Sequence, residues 1–257
     1  MERNSSNCKL SLIISIIALI IASMSYFCPK KATDPLSAST FDEKVKGIII
    51  DTIKQDPQLL MDAMGEGIAK KREAAIGELT NGVLDKSSEI TKQSMKFGEL
   101  SSKTNVVCFF DPLCKHCIDF QKSITKLVKA KKDACFKMIP VAVLADDSVT
   151  LAKVYISVYE KSPEKALTFI EKITSLEGDI NKSEIEKALK TAGLDPKEIE
   201  GMLTDSDKKL IANGKLAEAL KIPVVPAIFI VKGKEVSILQ TTGIDQLLAA
   251  IEGKPGK

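Results

Sequence analysis

The chain has 257 residues, 44% of them apolar, enough for one domain with a full core plus a smaller module, or for two small domains. Its formal net charge is only +3, with acids and bases mixed along the chain, and it has no Trp and only 5% aromatic residues. That composition excludes the basic face of a nucleic-acid binder and the stacking platforms of a single-strand binder, and it gives no argument for an acidic partner.

The first 31 residues stand apart. Arg3 and Lys9 precede an apolar run from Leu10 to Phe27, and Lys30 and Lys31 follow it. This is a signal peptide or an uncleaved membrane anchor, the run being about 18 residues and so at the lower limit for a spanning helix. Ser23 and Ser25 supply the small residues needed for cleavage after Ser25, whereas Phe27 is bulky where lipid attachment at Cys28 would want a small one. The expectation is a periplasmic or otherwise exported protein, tethered if the segment is retained. Residues 32–40, rich in Pro, Ser and Thr, read as a linker.

From Phe41 to about Met95 the pattern is helical. Asp42 and Glu43 sit in a first turn, and Val45, Ile48, Ile49, Thr52 and Ile53 recur at helical spacing up to a break at Pro57. An apolar stripe then runs through Leu60, Met64, Ile68, Ile76, Leu79 and Val83, with Lys70, Lys71, Arg72, Glu73 and Glu78 on the other face. Gly65, Gly67, Gly77 and Gly82 each weaken such a helix by about 1 kcal/mol relative to Ala, unless they allow close approach or bending. Helices of this kind cannot bury the stripe alone. It must meet the rest of the chain or another copy, and residues 41–95 are read as a helical oligomerisation region.

The composition changes over residues 96–257. Asn105–Phe110 reads as a buried strand, Leu113 to about Lys131 as a helix, and Phe136–Leu144 as a second buried strand. Helical patterns fill about 147–220, in the segments Val149–Tyr159, Pro163–Ile173, Ser183–Ala192, Asp195–Leu203 and Asp205–Leu220. Two strands, Ala227–Val231 and Glu235–Leu239, flank the turn Lys232-Gly233-Lys234, and a helix from Gly243 to Glu252 ends at Gly253, Pro255 and Gly256.

Six cysteines are present: Cys8, Cys28, Cys108, Cys114, Cys117 and Cys135. Their spacing shows one close pair rather than a framework, and an exported domain of this size needs no disulfide staples. The pair lies in Phe110-Asp111-Pro112-Leu113-Cys114-Lys115-His116-Cys117. Pro112 stops the strand, so Cys114 falls in the first helical turn, where free N–H groups and the helix dipole favour an anion. A thiolate there is the nucleophile of disulfide exchange. Cys117, one turn deeper, is placed to resolve the mixed disulfide. Lys115 and His116, the chain's single histidine, are candidates for tuning the pair by positive potential. The redox-active disulfide then serves as the cofactor, with no metal expected. The alternatives are a copper(I) site built from Cys114, His116 and Cys117, or an inert structural pair. A structural zinc site lacks its second pair of ligands.

Strand–helix–strand, a helical block, then hairpin and helix is the order of a thioredoxin fold with a helical insertion. With the Asp-Pro-Leu-Cys-Lys-His-Cys motif, the segment from Asn105 to Glu252 resembles the DsbA-like family of thiol:disulfide interchange proteins. A second motif, Ile222-Pro223-Val224-Val225-Pro226-Ala227-Ile228, matches that family's cis-proline loop, which implies that Val225 and Pro226 face the active cysteines and bind extended client chains. One departure is Cys108, where relatives often carry a buried acid that shuttles a proton to the second cysteine. It is a poor shuttle, a third thiol beneath the pair, or simply core volume. Cys135 is read as inert, and a Cys108–Cys135 bridge has no support from sequence. The helical stretch from Ile49 to Met64 is similar to the extension of ScsC-like oligomeric relatives. The resemblance therefore implies an α/β thioredoxin domain with an N-terminal stalk, a homotrimer, and isomerase or reductase activity on exported client proteins with a membrane redox partner. A monomeric dithiol oxidase recharged by a DsbB-like partner is the alternative within that family.

Overall fold

The computed structural model describes residues 38–130, 133–178, 180–240 and 243–253. The export segment with Cys8 and Cys28, most of the linker, and the closing Pro255 and Gly256 lie outside the described residues. The chain divides into two units, Met1–Ile68 and Ala69–Lys257, whereas the sequence pattern put the change near residue 95.

In the first unit, helix α1 (Ala38–Gln55) ends at Asp56, and Pro57 opens α2 (Pro57–Asp85). Proline is suited to a first helical position because its missing N–H has no partner to lose there. Ile48, Ile49 and Ile50 of α1 and Met61, Met64 and Ile68 of α2 are exposed.

The second unit contains the rest of α2, α3 (Ser87–Gln93), β1 (Met95–Gly98), β2 (Thr104–Phe110), α4 (Lys115–Lys129), β3 (Cys135–Pro140), α5 (Asp146–Lys161), α6 (Pro163–Thr174), α7 (Lys182–Thr191), α8 (Pro196–Ala219), β4 (Ala227–Lys232), β5 (Glu235–Leu239) and α9 (Ile244–Glu252). The sheet order is β1-β3-β2-β4-β5. β2 and β3 are parallel, joined across α4, and the other pairs are antiparallel. This is the expected strand–helix–strand with the helices α5–α8 inserted before a hairpin.

Alternation along the central strands divides the core between the two sheet faces. Val106, Cys108 and Phe110 of β2 join Phe136, Met138, Ile228 and Ile230 against Phe120 and Ile124 of α4, Tyr155 of α5 and Leu247 of α9. Val107, Phe109, Ile139 and Phe229 point the other way, against Val83 of α2, Ile90 of α3 and Leu216 and Leu220 of α8. Part of the apolar stripe of α2 is thus core of the second unit. Gly82 is the glycine that permits close approach, since a Cβ there would lie 3.1 Å from Leu220. Gly65, Gly67 and Gly77 have nothing within 4 Å of that position.

β1 has no counterpart in the sequence reading, which carried helix up to Met95. Its four residues, with Met95 and Phe97 inward, are too few for a period to show. Gly98 closes it at a φ of +82°, where a Cβ would meet the Ala134 carbonyl oxygen at 2.5 Å.

Candidate active site

β2 delivers the motif to the edge of the core and stops at Phe110. Asp111 and Pro112 are buried in the turn that follows, and α4 begins at Lys115 with Cys114 as its N-cap residue in extended conformation. The Cys114 carbonyl accepts the first helical bond from the Ile118 N–H at 2.9 Å. Its thiol is half-buried, and it donates to the Val225 carbonyl oxygen at 3.8 Å. The Val225–Pro226 peptide bond is cis. Residues more than a hundred positions apart are therefore neighbours at one sulfur.

Cys117 lies one turn further on and is fully buried, as is Cys108 beneath the helix on β2. All four described cysteines are free thiols. Burial pushes the Cys117 thiol far up from its ordinary value; the Asp111 N–H draws it partly back, and the Cys114 sulfur and the Asp111 carboxylate raise it again. Burial also raises the Cys108 thiol, with a further push from Cys117. Tyr155, across the core on α5, is raised by burial and then by Cys117, and its hydroxyl has no hydrogen-bond partner among the described residues. Burial is thus the main cause that holds Cys117 as a neutral thiol.

Lys115 and His116, expected to tune the pair, are both exposed. The motif contributes to two grooves. His116 borders one of about 780 Å³ with Ile76, Leu79, Pro223, Val225 and Phe229, and Leu113 and Ile118 border another of about 1000 Å³. Among the described residues no three His, Cys, Asp or Glu side chains are grouped to hold a metal ion.

Cys108 and Cys135 do not share a strand position. Cys108 pairs with Met138 and Cys135 with Asn105, three residues away along the β2–β3 ladder. At about 3.3 Å per residue that separation exceeds the reach of a disulfide. Cys135 is buried, and burial raises its thiol.

The sequence reading did not single out Asp111 or Tyr155. Asp111 carried the visible hint of an Asp-Pro step before the cysteine, but the groups its carboxylate meets come from Val143, Leu144 and Ser148, more than thirty residues on. Tyr155 carried no hint, being one apolar-face residue of a helix among several.

A family model described as Thioredoxin matches residues 90–252. No curated protein matches the sequence. Among solved structures, Proteus mirabilis ScsC in a transitional conformation is similar with a TM-score of 0.59 at 22% identity, over 86% of this chain and 98% of that one. Salmonella enterica Typhimurium BcfH gives 0.69 at 19% identity, over 83% and 96%. The thiol-disulfide exchange protein alpha-DsbA2 from Wolbachia pipientis gives 0.61 at 18%, over 70% and 97%. At these identities the likeness speaks to the fold.

Proposed function

The chain belongs to the thioredoxin family, and from that premise we propose that it exchanges disulfides on exported proteins as a homo-oligomeric isomerase or reductase. Cys114 is the nucleophile, Cys117 the resolving thiol, and the Val225–Pro226 loop the seat of the client chain. The observation that carries this reading is the Cys114 sulfur at a helix start, 3.8 Å from the Val225 carbonyl, with Cys117 buried one turn below. The likeness in fold to ScsC and alpha-DsbA2 agrees with it.

In the reaction, the Cys114 thiolate attacks a client disulfide. One client sulfur bonds to Cys114, and the other leaves as a thiolate that takes up a proton. If the freed client thiol then attacks elsewhere in the client and the last step returns Cys114, the pairing has changed with no net electron transfer. If Cys117 attacks instead, the Cys114–Cys117 disulfide forms, the client gains two electrons and two protons, and a membrane redox partner must restore the dithiol. Disulfide exchange requires a thiolate, and Cys117 is held neutral by burial. With Cys108 where relatives often carry an acid, no carboxylate on β2 draws its proton away. A neutral Cys117 is a poor attacking group, and this supports rearrangement over reduction in the proposed reading. The apolar faces of α1 and of α2 before Ala69 support self-association, with the trimer as the stoichiometry that the resemblance implies.

Trapping tests the assignment. With a scrambled multi-disulfide client, Cys117→Ser is expected to accumulate a covalent complex through Cys114 that reductant releases, and Cys114→Ser is expected to form none. Mass spectrometry under non-reducing conditions reads both. No trapped species with Cys117→Ser would sink the assignment.

A further inference from the structure

Within the second unit, helix α2 leaves the core one turn at a time. Val83 is buried, Leu79 is half-buried against the same cluster, and Ile76 is 37% exposed and belongs to no core cluster. Arg72, one turn earlier, is exposed. The four stand three or four residues apart and so share one face of the helix. α2 is pinned where that face is buried. Gly82 lets it approach Leu220 at the end of α8, and the Glu78 carboxylate pairs with the ammonium of the next residue, Lys221. Lys221 has a φ of +54°, a left-handed conformation for which glycine is the usual choice after a helix. It opens the loop that leads through Pro223 to the cis Val225–Pro226 bond.

The groove of about 780 Å³ is lined by both elements, Arg72 and Ile76 from α2 and Val224 and Val225 from the loop, with His116 of the cysteine motif at its border. Leu220 and Phe229 also line it but are already core, whereas Val224 is 69% exposed and, like Ile76, packs in no core cluster. Among the charged lining residues Lys221 and Glu78 face each other, and Arg72 has no ion-pair partner among the described residues.

We propose that α2 selects the client: Ile76 reads an apolar side chain and Arg72 an acidic one, two residues apart in an extended segment next to the client cysteine. The proposal rests on the redox reading above and names the class of segment that its client seat takes. The Val225 carbonyl, which accepts from the Cys114 thiol at 3.8 Å, belongs to a residue of the same groove, so a client sulfur bonded to Cys114 brings its flanking residues to α2. Same-side residues of an extended chain repeat about every 6.6 Å, and residues one helical turn apart, as Arg72 and Ile76 are, stand about 6 Å apart along the axis, so one register serves both. The unpaired guanidinium decides the occupant, because it complements a carboxylate and can hold it bidentately.

The test uses the reduced protein and short peptides whose single cysteine is joined by a disulfide to 4-thiopyridine. Cys114 bonds to the peptide sulfur, and the thiopyridine leaves with the bonding electron pair, takes up a proton and is read by its absorbance. The peptides carry Leu-x-Glu, Leu-x-Lys or Ser-x-Glu beside the cysteine. Each rate is divided by that with 4,4′-dithiodipyridine, which offers no side chain for α2 to read. Wild type is expected to favour Leu-x-Glu over Leu-x-Lys by roughly fivefold, as suits an exposed charge pair, and Arg72→Glu to invert that preference. Ile76→Ser is expected to reduce the preference for Leu-x-Glu over Ser-x-Glu, about tenfold in wild type, to near unity. Preferences that are the same in wild type and both variants overturn the proposal. So do preferences that fade as protein concentration rises, since a second copy then fills the groove. A wild-type protein that releases thiopyridine from no peptide and not from 4,4′-dithiodipyridine overturns the redox reading instead, which separates the two failures.

Discussion

Three sulfurs held out of water, Cys108, Cys117 and Cys135, make the reduced protein sensitive to alkali. Burial raises the thiols of Cys108 and Cys117 above the value of about 8.5 that they have in an unfolded chain. As pH rises, the unfolded chain loses these protons first, so the folded state binds more protons than the unfolded one and stability falls. The contribution of each thiol is complete below about pH 8.5 and is lost above it at about 1.4 kcal/mol per pH unit. Urea denaturation of the reduced protein between pH 7.5 and 10, under reductant, should show this slope. Cys108→Val, which fills similar space on β2, should lower the slope by about 1.4 kcal/mol per unit, whereas parallel slopes for the two proteins would refute the assignment of Cys108 as a buried neutral thiol. At this scale the sequence displayed the pair itself, because a strand, a proline and two cysteines three apart are local facts. It could not display Asp111 as an anchor or Tyr155 as a neighbour of Cys117, because both roles depend on which distant residues fold against them.

Among the elements, α8 shows how a local signal loses to packing. Leu203-Thr204-Asp205-Ser206-Asp207 reads as the end of one helix and the cap of another, since Thr, Asp and Ser compete for backbone groups in that way. The helix nevertheless runs unbroken from Pro196 to Ala219. Ser206 is turned inward, and its hydroxyl meets that of Ser157 on α5 at 2.7 Å. Two turns later Asn213, also buried, donates to the Pro140 carbonyl oxygen at the end of β3, 2.9 Å away. These polar contacts, with Leu216 and Leu220 packed under the sheet, hold the whole length in one line. The start of α8 was legible for the opposite reason: Asp195 caps the Lys197 N–H at 3.0 Å and Pro196 fills the first turn, all within three residues. Asn213→Ala is expected to cost about 1–3 kcal/mol, because it leaves the buried Pro140 carbonyl without its donor. Thermal or urea unfolding checks this, and a loss below about 0.5 kcal/mol would mean that the bond contributes nothing net.

For the molecule as a whole, the decisive contrast is between the apolar residues that the second unit buries and those that the first leaves in water. Val83 and Ile90 are core, together with Leu216 and Phe229. Ile48, Met61, Met64 and Ile68 are instead 66%, 64%, 53% and 63% exposed. Met61, Met64 and Ile68 stand three and four residues apart, so they share one face of α2. A contiguous apolar face of this kind marks an association surface, and another copy of the chain is the occupant that the proposed oligomer supplies. The sequence pattern alone read residues 41–95 as one oligomerisation region, since periodicity records amphipathicity and not which partner covers it. The place to cut therefore follows from burial rather than from pattern. Removing residues up to 95 would strip Val83 and Ile90 from the sheet and unfold what remains, whereas a cut after Ile68 spares them. Without its first 31 residues, the chain is expected to sediment as an oligomer, and the same chain beginning at Ala69 as a folded monomer with its thiol exchange on small disulfides intact. Rescue of a scrambled client should fall at least tenfold in that monomer, while trapping through Cys114 persists. Met64→Glu with Ile68→Glu should dissociate the longer chain in the same way without shifting the unfolding of the second unit, because neither side chain belongs to its core. A longer chain that is already monomeric in solution, or a shortened one that stays associated, would remove the first unit from any role in assembly.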